Sequence, residues 1–78
     1  MSNLEKYKNA FTTLFAISED KLPGLIYQSL ELWDSVGHMQ LMAAIEEAFD
    51  IMLDTDDIID FSSFEKGKEI LRKYNVEL

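Results

Sequence analysis

None of the 78 residues is cysteine, and that absence limits what can hold the chain together. Without thiols there is neither a disulfide nor a thiolate-bound metal, the devices that brace many chains of this size. A single apolar core must supply the stability, so one domain covering 1–78 is expected. Hydrophobic residues make up 47% of the sequence, enough for such a core. No apolar run approaches the ~18 residues that a membrane span requires. The opening MSNLEKYKNA is too polar for a secretory signal, which makes a cytoplasmic protein the expectation.

The apolar residues fall at helical spacing, and no segment alternates convincingly as a strand. Leu4, Tyr7, Phe11, Leu14 and Phe15 line one face, with Ser2 and Glu5 as a capping box; this predicts a first helix over about 3–16. After Ser35, the residues His38, Leu41, Met42, Ile45, Ala48 and Phe49 form a stripe, predicting a second helix over about 35–49. Ser62 and Glu65 repeat the capping pattern ahead of Phe64, Gly67, Ile70, Leu71 and Tyr74, predicting a last helix over about 63–74. Between them, Thr55-Asp56-Asp57-Ile58-Ile59 suits one short helical turn, its acids complementing the helix dipole.

The stretch from Ile17 to Asp34 breaks the pattern. It holds the only proline, Pro23, followed by Gly24, a strong turn signal. A connection of that length is usually functional or internally packed, and Leu22, Leu25, Ile26, Leu30 and Trp33 favour packing. The expected fold is all-α: a small four-helix bundle of three principal helices and a short third one, with a long loop between helices one and two.

Charge narrows the function classes. The net value is −8, and the span from Leu22 to Glu65 carries ten acids and no lysine or arginine. Nucleic-acid binding, which depends on lysine and arginine displacing counterions, is excluded as an expectation. Such a span either is a solvated face or attracts basic surfaces on other proteins.

Two kinds of chemistry are conceivable from the residues themselves. His38, the single histidine, lies three positions after Ser35, within helical reach, but no third group or oxyanion hole accompanies the pair. Catalysis is therefore not expected, and His38 reads as a half-buried helix residue or part of a contact surface. Asp54, Asp56, Asp60, Ser62 and Glu65 match several ligand offsets of a calcium loop, yet Ile58 and Ile59 stand where an oxygen ligand and a glycine are needed. No metal site is expected.

Asp34-Ser35-Val36 carries the most specific signal. The segment WDSVGHMQLMAAIEEAFDI resembles the modification region of acyl carrier proteins, an Asp-Ser-apolar tripeptide opening helix two and a Glu46-Glu47-x-Phe49 ending. Phe49, Ile51 and Leu53, then Asp56-Asp57, then Phe61-Ser62-Ser63-Phe64 extend the likeness, so that about residues 30–74 match the family pattern. The tripeptide alone is a weak signal. Its combination with length, acidity and helix spacing is strong.

The resemblance implies a non-catalytic carrier. Ser35 would receive 4′-phosphopantetheine from coenzyme A through a phosphopantetheinyl transferase, with Asp34 in the recognition motif, and acyl-loading and acyl-transferring enzymes would dock through basic patches on helix two. Val36, Met39 and Ala43 are the expected apolar centre of that contact, with Asp34, Glu47 and Asp57 around it; Met39 also reads as a core residue. Ile45, Phe49, Ile58, Ile59 and Leu71 are the expected lining of an acyl pocket, each equally explained as core. A monomer is expected. Gly37 and Gln40 stand where typical fatty-acid carriers have acids, and the Trp-Asp-Ser-x-Gly-His-Met form is similar to specialised bacterial carriers of lipid, polysaccharide or secondary-metabolite pathways. Gly37 also weakens the first turn of helix two, by up to ~1 kcal/mol against alanine. The alternatives are an aminoacyl or peptidyl carrier and an unmodified acidic adaptor, for which Ser35 is only a helix cap.

Overall fold

The computed structural model describes residues 2–78. It holds four α-helices, α1 (Asn3–Phe15), α2 (Ser35–Phe49), α3 (Thr55–Asp60) and α4 (Phe64–Arg72), with one 3-10 turn at Glu19–Lys21. Among the described residues there is no strand, only an isolated antiparallel bridge between Ile26 and Ser63. The fold is all-α, and among the described residues no helix is long and apolar enough to cross a membrane.

Three of the four helices, α1, α2 and α4, begin on a side-chain oxygen that takes an otherwise unpaired backbone N–H. Ser2 caps α1 by accepting from the Glu5 N–H, and Asp34 caps α2 by accepting from the Gly37 N–H. The cap of α4 is Ser63, whose hydroxyl accepts from the Lys66 N–H at 2.9 Å, and not Ser62 as its pairing with Glu65 predicts. Ser62 is drawn away because its carbonyl accepts from the Tyr27 N–H at 2.8 Å, while the Phe64 N–H reaches the Leu25 carbonyl at 2.9 Å. These two bonds also fasten the middle of the 16–34 connection to the start of α4.

The core is dominated by rings. Tyr7, Phe11 and Phe15 of α1 meet Trp33, Phe61 and Phe64, all buried. Phe11 sits at the centre, with ring centroids 5.1 Å from Tyr7, 5.5 Å from Trp33 and 5.2 Å from Phe64, each edge to face. Such pairs add to the gain from burial. The Tyr7 hydroxyl donates to the Phe64 carbonyl at 2.7 Å, which satisfies a polar atom inside the core. Burial, with the Glu65 charge adding to it, pushes the Tyr7 phenol far above its ordinary value, so it remains a donor. Gly67 makes this packing possible: a Cβ there would lie 2.1 Å from the Tyr7 oxygen and 2.3 Å from Phe61.

The long connection is packed, as its apolar content predicts. Leu22, Leu25 and Trp33 are buried and Leu30 is half-buried, whereas Ile26 is exposed because the bridge to Ser63 turns its side chain outward. Trp33 stacks on Phe15 at 5.6 Å and its backbone closes a turn through Gln28 N–H to Trp33 carbonyl at 3.0 Å. An anchored tryptophan immediately before Asp34 and Ser35 sets where α2 starts. On the predicted stripe of α2, Leu41, Met42 and Ile45 are buried and His38 and Phe49 half-buried, but Ala48 is exposed along the groove beside α1.

Candidate functional site

Ser35 is exposed in the first turn of α2, one residue after the capping Asp34. The turn is held by two bonds from that aspartate: its carboxylate accepts from the Gly37 N–H at 2.8 Å and its carbonyl from the His38 N–H at 2.7 Å. No acid other than the cap lies in this turn, so the Asp34 carboxylate is the one negative side chain at the positive end of the α2 dipole beside Ser35. Gly37 is not a mere weak helix former here. A Cβ on it would fall 1.8 Å from the Leu32 carbonyl oxygen, so the bare backbone lets the connection close tightly under the turn.

Beside Ser35 is a cavity of about 320 Å³, lined by Tyr27, His38, Met39, Ile58, Ile59, Phe61 and Ser62 together with Ser35. This differs from the pocket that the sequence suggests. Ile58 and Ile59 line it, but Ile45 and Leu71 are fully buried core and Phe49 packs half-buried against that core. Ile59, predicted as interior, is 73% exposed and stands on the rim. The reason is the brevity of α3: six residues hold Asp57 inward and leave Ile59 on the other side. Sequence spacing does not place Tyr27, Phe61 and Ser62 at a pocket, since the bridge that brings the connection here gives no local signal, and His38, half-buried as expected, lines it too.

His38 joins the elements around the cavity. The Trp33 indole N–H donates to Nδ1 at 3.0 Å, and because tryptophan has only a donor, Nε2 carries the proton toward the Ile58 carbonyl at 2.7 Å. That carbonyl belongs to α3. Both ring nitrogens are engaged, so the ring is not free to deprotonate Ser35.

The expected docking residues divide. Val36 is 65% and Met39 56% exposed, which removes the core reading of Met39, and Ala43 and Glu47 are exposed on α2. Asp57 is a correction. It is only 4% exposed, and its carboxylate accepts from the Lys73 ammonium at 2.5 Å and from the Tyr74 hydroxyl. Those hydrogen bonds hold its carboxyl below the usual range and hold the Lys73 ammonium above its own. Its charge is spent inside the molecule rather than offered to a partner. Glu46 is also occupied, accepting from the Leu53 N–H at 2.8 Å. The exposed acids of this side are Asp34, Glu47, Asp50, Asp54, Asp56 and Asp60.

Among the described residues, no three histidine, cysteine, aspartate or glutamate side chains are grouped to hold a metal ion. The acids that match calcium-loop offsets are carried instead on and around α3. A second, more open groove of about 380 Å³ runs between α1 and α2, lined mainly by Ala10, Leu14, Ala44 and Ala48, and none of the Asp34-Ser35-Val36 motif lies in it. No family model, curated protein or solved structure matches the chain.

Proposed function

We propose that this protein is an acyl carrier, modified at Ser35 and worked on by partner enzymes. The observation that carries the reading is the exposed Ser35 in an acid-free first turn, opening onto an apolar cavity, within the Asp-Ser-Val motif. A phosphodiester on that hydroxyl would lie at the favourable end of the α2 dipole. Ser35 Oγ would form the new bond to the coenzyme A phosphorus nearest the pantetheine; adenosine 3′,5′-bisphosphate leaves and the hydroxyl proton passes to a base on the transferase. Bound there, 4′-phosphopantetheine supplies a terminal thiol that holds an acyl group as a thioester. The chain needs no cysteine of its own.

In this reading the helices close into the small bundle of a carrier, three principal helices with α3 short and residues 16–34 as the long connection. Asp34 and Ser35 are read by the transferase. Val36, Met39 and Ala43, with Glu47 beside them, meet partners whose docking patches are basic. The carrier acts as a cytoplasmic monomer in a specialised pathway, its first turn lacking the acids a general carrier presents.

The test is labelling with a fluorescent coenzyme A analogue and a broad-specificity phosphopantetheinyl transferase, read on a gel. Wild type is expected to label and Ser35→Ala to stay dark while folding normally. A folded wild type that stays dark with several transferases would instead support an unmodified acidic adaptor.

A further inference from the structure

The cavity beside Ser35 ends on a floor of rings. Tyr27, His38 and Phe61 line it, with centroids 5.3 Å apart for Tyr27 and His38 and 6.2 Å for His38 and Phe61. Behind them the fully buried Trp33 stacks on His38, interplanar angle 17°, and donates to it. The opposite nitrogen of the same ring reaches the Ile58 carbonyl, so the His38 side chain spans from α2 to α3 at the inner side of the cavity. Phe61 is completely buried, as are Ile45 and Leu71 in the core.

From this arrangement we infer that the group carried on Ser35 is a short acyl chain, lodged in the cavity and stopped at its ring floor, with His38 as the positioning residue that sets the limit. This deepens the carrier reading and rests on it. A longer apolar tail must either remain in water or pass between α2 and α3. Passing between them parts the His38 bond to Ile58, leaving a carbonyl at the end of α3 without that partner. Displacing the ring also strips the acceptor from the indole N–H of the fully buried Trp33. One side chain holds both bonds, so they are lost together.

The experiment loads wild type, His38→Ala and His38→Gln with butyryl, octanoyl and tetradecanoyl groups from the corresponding acyl-coenzyme A, confirming each product by intact mass. Thermal midpoint and hydrogen exchange at the indole of Trp33, the single tryptophan, are then recorded. In wild type the midpoint is expected to rise for the butyryl form and gain nothing further with tetradecanoyl, and indole exchange stays slow throughout. In whichever His38 variant folds, the tetradecanoyl form becomes more stable than the butyryl form. A wild-type midpoint that climbs through tetradecanoyl, with faster indole exchange, overturns the length limit and leaves the carrier reading standing. Absence of any mass added at Ser35 overturns both.

Discussion

Where α1 meets α4, Tyr7, Phe11, Phe61 and Phe64 leave almost no ring surface to solvent; where α2 meets α3, Val36, Met39 and Ile59 stand in water. Both sides contain large apolar residues, so composition does not separate them. What differs is the size of the partner. α4 is nine residues long and presents Phe64, Gly67, Ile70 and Leu71 inward, while α3 is six residues long and covers little of α2. A short helix thus leaves an apolar face open beside Ser35. The first side is closed packing, and the second leaves large apolar side chains exposed.

Phe11 is at the centre of the closed side. Phe11→Ala is expected to lose about 3–5 kcal/mol in denaturant unfolding, enough to unfold much of so small a domain. A loss under about 1 kcal/mol would mean the ring cluster is not the source of stability. Gly37 probes the other side, where two effects oppose each other. Helix propensity favours alanine by up to ~1 kcal/mol, whereas the approach of the Leu32 carbonyl to 1.8 Å from a Cβ requires backbone to move. The steric effect is the larger, so Gly37→Ala should destabilise by about 1–3 kcal/mol in the same assay. A stabilised variant would show that the turn before α2 yields easily.

Asp57 belongs structurally to the stable side although it lies on α3. Its carboxyl is held below its ordinary value by Lys73 and Tyr74. That stability is present above the unfolded value of about 3.9 and is lost as pH falls through the lower folded value. Thermal midpoints measured down an acid series should therefore drop more steeply in wild type than in Asp57→Asn across that window. Parallel curves would show that the pair contributes nothing through this carboxyl. Val36→Ser is the smallest of the set: unfolding free energy should change by no more than about 0.5 kcal/mol, while the transferase KM rises. A large stability loss would place Val36 in the core after all.

Much of this division is legible in the sequence. The predicted boundaries of α2 coincide with Ser35–Phe49, because the apolar stripe and the Asp34 cap point to the same start. Tyr7, Phe11, Phe15 and Phe64 of the ring cluster follow from spacing in α1 and α4, whereas Trp33 and Phe61 lie outside both helices. What escapes prediction depends on contacts across long stretches of chain. Ser62 and Ser63 both have helical residues to cap, and the choice is made by backbone bonds to Leu25 and Tyr27. Asp57 reads as a surface acid until Lys73 and Tyr74 fold back on it from sixteen and seventeen residues away. Of the cavity, only Ile58 and Ile59 are legible as lining, since Tyr27 comes to it through the bridge between Ile26 and Ser63.

In the carrier reading, the open side presents a modified serine. The most direct measurement is the intact mass of the protein after incubation with coenzyme A and a phosphopantetheinyl transferase, followed by fragmentation to locate the change. The account predicts one phosphopantetheine per chain, on Ser35, in a protein that remains folded. A folded protein of unchanged mass, or a group attached at another residue, would contradict it.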